Sequence, residues 1–358
     1  MYLQINNLVI RGISMHINTK IHEILNDSNL VIVRDRWFER VSHLYNGEMD
    51  EFLQENVLNI NGTVEMGVAP GDAYESPEKW VIDSLKRLSE RSELSNDNNV
   101  FVPLCIEYGI YGVHFIDKIL GAEVFYQDNQ WYNRYIETPI GSLEYPDLDN
   151  NETWQLAKRA AVKFTEENVS LPLFGLPTIA SALNIAVNLY GQEILLALLT
   201  DTENALKDLK TINTLLCDLH NWYRSIMPFQ QLQPVISWRR TQPPGYGQFC
   251  GCTNQLISGP IYEELIAPLD DKLLRVYPHG GMMHLCGSHT QHMNCFRHMK
   301  SLRAIQVNDR AAHDLEEYFN GLRDDQVIYL SPCEGMTVEK AMDITGGRRL
   351  ILMGKVRN

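Results

Sequence analysis

Five imidazoles and two thiols crowd the stretch from residue 279 to 298, His-Gly-Gly-Met-Met-His-Leu-Cys-Gly-Ser-His-Thr-Gln-His-Met-Asn-Cys-Phe-Arg-His. If 282–286 is a β-strand, His284 and Cys286 stand two apart and point to the same side. Gly287 then lets the chain turn or a ligand come close. One imidazole nitrogen and one thiolate at that spacing supply half of a tetrahedral zinc site. The same pair equally suits a buried thiol beside a hydrogen-bonded histidine. Of the groups that follow on an expected helix, His289 and His292 lie in the first turn, within reach of such a site. His298 reads as surface and Cys295 as core.

Two further thiol positions could complete the set. Cys250-Gly-Cys252 follows an aromatic, strand-like run, and in an extended chain both sulfurs share a face. Cys333 follows Tyr329-Leu-Ser-Pro at the end of another. A metal-bound thiol or water is far more acidic than a free one, which is the chemical reason to assemble such ligands. The acid and base candidates are Asp128, Asp309 with its neighbour Asn308, and Glu334 beside Cys333. Glu107-Tyr108 ends the first expected strand and is a substrate-contact candidate. Arg239-Arg240, just before Pro243-Pro-Gly245, suits a carboxylated or phosphorylated substrate. No P-loop, G-x-S-x-G or H-E-x-x-H occurs, which argues against nucleotide hydrolysis, α/β-hydrolase chemistry and zincin-type proteolysis.

The elements that must hold these groups follow from the rhythm of the chain. Residues 1–100 read as helices and loops. The run 35–45 has helical apolar spacing, and 76–88 has a Ser N-cap with Pro at the first helical position. After residue 100, short strand-like runs alternate with helical segments, as in parallel α/β folds. The expected strands are 101–106, 122–126, 170–174, 246–251, 281–286, 303–308, 326–330 and 349–354. Helices are expected over 179–199, 203–227, 260–275, 289–302 and 311–322. Eight strands predict a (β/α)8 TIM barrel over 101–358, with 1–100 a helical extension packed on it and the active site at the carboxyl ends of the strands. A doubly wound open sheet is the alternative, but the Gly-rich dinucleotide turn is absent. No room remains after the last strand for an eighth helix, so the N-terminal helices, a partner subunit or a different strand count must close that side.

Composition narrows the class. The 358 residues carry 31 Lys+Arg against 45 Asp+Glu, a net charge of −14, which argues against nucleic acid as a partner. With 44% hydrophobic and 21% charged residues, the chain can bury a sizeable core. Its seven cysteines are odd in number and weighted to the last third, which suits reduced thiols in the cytosol rather than a disulfide framework. The N-terminus lacks the basic start and cleavage site of an export signal, and the run 193–200 is too short to span a bilayer. A cytoplasmic protein acting on a small molecule, without membrane or nucleic acid, is expected.

From about residue 170 onward the segments resemble the uroporphyrinogen decarboxylase superfamily, which includes zinc-dependent, cobamide-linked methyltransferases. The resemblance rests on Leu173-Phe-Gly-Leu-Pro-Thr-Ile-Ala-Ser-Ala-Leu, Leu256-Ile-Ser-Gly-Pro-Ile-Tyr-Glu-Glu-Leu-Ile-Ala-Pro-Leu and His284-Leu-Cys-Gly. It continues through Ala304-Ile-Gln-Val-Asn-Asp and Val327-Ile-Tyr-Leu-Ser-Pro-Cys. It implies a (β/α)8 barrel. The decarboxylase branch implies an Arg-rich first-strand motif, whereas 102–109 reads Val-Pro-Leu-Cys-Ile-Glu-Tyr-Gly with no arginine. Metal-free decarboxylation of a polycarboxylate would then need Arg239, Arg240 or Arg310 at the barrel mouth. The methyltransferase branch implies zinc on His284, Cys286 and a distant cysteine, resembling Cys333, with Cys252 as the alternative third ligand. It also implies a methyl donor such as a corrinoid (methylcobamide) protein or a small methylated compound, and a thiol or folate acceptor. A barrel that binds a small molecule without catalysis, and a homodimer, are further expectations compatible with these residues.

Overall fold

The computed structural model describes residues 16–58, 67–97, 99–177, 179–234 and 240–355. Seven strands form one parallel sheet: β1 (Leu53–Val57), β2 (Val100–Phe101), β8 (Gly247–Cys250), β9 (Gly281–Leu285), β10 (Leu302–Val307), β11 (Val327–Leu330) and β12 (Leu350–Lys355). Their order is β2-β1-β12-β11-β10-β9-β8. A second parallel sheet holds β3 (Cys105–Glu107), β6 (Leu173–Gly175) and β7 (Leu232–Gln233), in that order. Neither sheet closes on itself. They are joined at one edge by the three residues between β2 and β3. At the other, Ala180, five residues past β6, bridges Cys250, and the Ser181 amide donates to the Cys250 carbonyl at 2.8 Å.

Strand alternation sorts the core into two layers. Met283, Leu285, Ile305, Val307, Ile328, Leu330, Leu350 and Leu352 face the surrounding helices. The intervening Met282, Ala304, Val327, Tyr329, Ile351 and Met353 face inward, with Leu53 and Leu173. Helix α1 (Ser28–Tyr45) covers that inner cluster. It is capped by Asp27, whose side chain accepts from Asn29 and Leu30, and buries Trp37, Phe38, Val41, Leu44 and Tyr45 at helical spacing. Trp37 stacks on Phe101 with ring centroids 5.0 Å apart.

Three expectations change here. Residues 1–100 are not only helical, because β1 runs parallel between β12 and β2 in the main sheet. Its Gln-Glu-Asn centre looks like a loop in sequence. Glu55 is nevertheless buried and accepts from the amide and hydroxyl of Thr241 at 2.8–3.2 Å, so a polar residue is satisfied inside the fold. The expected strand 122–126 belongs instead to an antiparallel hairpin, β4 (Val124–Gln127) and β5 (Gln130–Asn133). Asp128 (φ 50°) and Asn129 (φ 61°) form its two-residue turn, the left-handed pair such hairpins require. The expected helix 179–199 breaks at Gly191 into α2 (Ala182–Tyr190) and α3 (Glu193–Thr200). No single helix among the described residues is long and apolar enough to cross a membrane; α2 and α3 pass that test of length and composition only together, bent by 113°.

Candidate metal centre

Register places the site. Gly280 has φ 71°, and a Cβ on Gly281 would lie 2.2 Å from the Gly247 carbonyl oxygen, so only glycine lets β9 pair this closely with β8. With that pairing set, Cys250 stands opposite His284, and His284 opposite Gln306 on β10. All three lie at the carboxyl ends of their strands. Cys252 opens a short 3-10 turn just after β8, and Cys286 follows β9 directly.

The ligand atoms of Cys250, Cys252 and His284 all lie within 4.8 Å of one another. The two sulfurs of Cys250 and Cys252 are 3.3 Å apart, and His284 Nε2 is 3.0 Å from the Cys286 Sγ. A hydrogen bond from Cys252 and then, against the cost of burial, His284 and Arg240 hold the Cys286 thiol down to about 5. The Cys252 hydrogen bond, again against burial and aided by His284 nearby, brings Cys250 down to about 7. Cys252 is pushed up, because its neighbours Cys250 and Cys286 use its proton and burial adds to the effect. The three thiols are thus coupled, Cys250 and Cys286 shifted down and Cys252 up, beside an imidazole. The two sulfurs of Cys250 and Cys252 and the imidazole of His284 could hold a metal ion, and their softness is consistent with zinc.

The supporting groups are polar and ordered by the fold. Asn184, in the first turn of α2, donates to Cys250 Sγ at 3.4 Å and accepts from the Thr253 amide at 3.0 Å. His284 Nδ1 bonds to Gln306 Oε1, and Gln306 Nε2 donates to Ser331 Oγ at 3.2 Å. Sequence reasoning passed over Asn184, Gln306 and Ser331. The signal for Gln306 was available: a polar residue two positions from Ala304 in an apolar strand, hence on the inner face.

The remaining expected site residues disperse. Cys333 lies outside the cluster, with its Sγ 3.7 Å from the Asp309 carbonyl oxygen and its pKa raised by burial and by Asp309. Cys252, the alternative, is inside it. Asp309 and Glu334 are exposed, Asp309 at the start of a short helix and Glu334 accepting from His313 Nε2 through its carbonyl. Asp128 is exposed in its hairpin turn. Glu107 is buried at the end of β3. Tyr108 belongs to the outer core, edge-on to Trp80 at 5.2 Å, with its hydroxyl on the Ala73 carbonyl. Arg240 is buried and its charge acts on Cys286, Arg310 is exposed, and Arg239 lies outside the described residues. His289 and His292 tie loops together. His289 bridges the Gly287 and Gly251 carbonyls at 2.5 and 3.3 Å, and His292 Nε2 is 2.8 Å from the Asn254 carbonyl.

No protein-family model matches this chain, and no curated protein does. Among solved structures, it is similar to a methyltransferase from Methanosarcina mazei, with a TM-score of 0.62 at 11% sequence identity. The match covers 88% of this chain and 91% of the other, so the two share an overall fold.

Proposed function

We propose that this chain is a zinc-dependent methyltransferase of the uroporphyrinogen decarboxylase superfamily, built on a (β/α)8 barrel. In that reading the ring is completed where β2 runs on into β3 and where Ala180 meets Cys250. The single observation that carries the function is the Cys250, Cys252 and His284 cluster at the carboxyl ends of β8 and β9. The fold shared with a methyltransferase supports it. Cys250, Cys252 and His284 would hold the ion without Cys333, with Cys286 beside them and the fourth position left to the acceptor thiol. Zinc bound there would lower the pKa of an acceptor thiol so that it reacts as thiolate.

The protein's own groups set up that step. Asn184 hydrogen-bonds the Cys250 sulfur and the buried Arg240 supplies positive charge beside Cys286. A methylated corrinoid would supply the methyl group: the S–C bond to the acceptor thiolate would form as the Co–C bond broke, with both electrons kept on cobalt and the thiol proton released to solvent. An open groove of about 580 Å3, lined by Leu195, Leu196, Leu199, Leu256 and Ile261, lies beside the turn that carries Cys252 and would seat a corrinoid-bearing partner. Seven free thiols suit a reducing compartment, and we place the protein in the cytosol.

Zinc analysis of protein never exposed to chelator tests the metal, and the visible spectrum of methylcobalamin mixed with a small thiol tests the transfer. One zinc per chain and thiol-dependent loss of the methylcobalamin spectrum are expected. Cys252→Ser should lose both, and Cys333→Ser should keep both. Absence of stoichiometric zinc in the wild type overturns the reading.

A further inference from the structure

The geometry points to Gln306, held in turn by Ser331, as the positioning residue that fixes which nitrogen of His284 is free to bind a metal. The inference rests on His284 being a ligand, the reading proposed above. Gln306 is fully buried on β10, in register with His284 on β9, so both side chains leave the same face of adjacent strands. A carboxamide oxygen only accepts, so with Oε1 against the ring, His284 Nδ1 must carry a proton. That leaves Nε2 as the atom facing Cys286.

An amide can rotate and offer its NH2 instead, which would demand the opposite tautomer and put the lone pair on the wrong nitrogen. In the observed orientation Ser331 holds the far end of the amide. This serine follows β11, its amide donates to the Val307 carbonyl at 3.1 Å, and its hydroxyl receives Gln306 Nε2. The three residues thus form a relay across β9, β10 and β11. Histidines that bind metals commonly give their second N–H to a carboxylate or a carbonyl, and losing that partner typically costs 10–100-fold in metal affinity. A neutral amide orients the ring as a carboxylate would, but adds no negative charge to a site already holding three sulfurs.

The test compares Gln306→Met, Gln306→Glu and Ser331→Ala. Zinc affinity is measured by competition with a chromophoric chelator, and the His284 ring nitrogens by NMR of histidine-labelled protein with and without zinc. Gln306→Met removes the acceptor at nearly constant volume and should weaken zinc binding about 10–100-fold. It should also lose the Nδ1 proton signal of wild type. Gln306→Glu keeps an acceptor and should restore the Nδ1 proton and hold affinity within about tenfold of wild type. Ser331→Ala should fall between. Wild-type affinity in Gln306→Met overturns the relay. So does an equal loss in the Met and Glu variants, which marks a packing role alone. If wild type binds no zinc, the metal reading fails, while the Nδ1 proton in metal-free protein still decides the relay. Its presence in wild type and loss in Gln306→Met supports it, and its absence in wild type overturns it.

Discussion

A residue's chemistry depends on what its neighbours do with its proton. Cys286 and Cys333 look alike in sequence, each at the end of a strand beside a small or turn-forming residue. Yet Cys286 is held low by Cys252, His284 and Arg240, while Cys333 is raised by burial and two carboxylates. Cys250, Cys252 and His284, near one another at the ends of neighbouring strands, were therefore legible as candidate ligands from type and spacing. The choice among distant cysteines was not, because it depends on which strand lies beside which. Asp128 shows the converse error, a carboxylate whose place after a strand suggested catalysis and whose backbone explains it instead. A left-handed conformation costs a residue with a Cβ about 1–2 kcal/mol, less for Asp and Asn. Asp128→Gly should thus be neutral or slightly stabilising, and Asp128→Ala should cost about 1 kcal/mol in urea unfolding. Neither should alter zinc content or methyl transfer. A large loss of transfer in both variants would return Asp128 to the site.

At the scale of elements, strands with apolar inner and outer faces were readable, since β9 to β12 are buried on both sides. β1 was hidden because its partners β12 and β2 lie about 300 and 45 residues away, and a polar pentapeptide becomes a strand only between them. The long helix α4 (Thr202–Ile226) was readable over nearly its full length from its apolar periodicity. It also carries a pH-dependent contact. His220 is buried, its Nδ1 2.8 Å from the Tyr277 hydroxyl, and its Nε2 has no hydrogen-bond partner among the described residues. Burial, with the nearby Arg224 charge, pushes its pKa down to about 3 from 6.5. Between those values the unfolded chain binds the proton and the folded chain does not. The stabilisation is therefore full above pH 6.5 and is lost as pH falls toward 3. Between pH 7 and pH 5 this histidine should cost about 2 kcal/mol. His220→Gln should lose correspondingly less over the same interval, measured by urea unfolding at both pH values. Equal acid losses in the two proteins would mean that native His220 takes up its proton as readily as the unfolded chain does.

For the molecule as a whole, the question is whether residues 1–100 are an accessory layer or part of the sheet. Strand β1 pairs with β12 at five consecutive positions and with the two-residue edge strand β2 at two, so removing it exposes the long interior strand β12 and detaches β2 from the main sheet. Helix α1 would leave with it, exposing the inner cluster now covered by Trp37, Phe38, Val41, Leu44 and Tyr45. Burying each such side chain is worth about 1.5–3 kcal/mol. Five of them rival the roughly 5–15 kcal/mol by which a whole domain is stable. The Tyr45 hydroxyl, 2.7 Å from Gln242 Oε1, and Glu55 on Thr241 would also leave buried polar groups of the 240–242 segment without their partners. A fragment of residues 101–358 should accordingly show no cooperative urea transition and bind no zinc. Co-expression with a 1–100 fragment should restore both, because the missing strand and helix can dock from a separate chain. A sharp two-state transition in the 101–358 fragment alone, with zinc bound, would make the first hundred residues an accessory layer after all. The metal site would then need none of the first hundred residues.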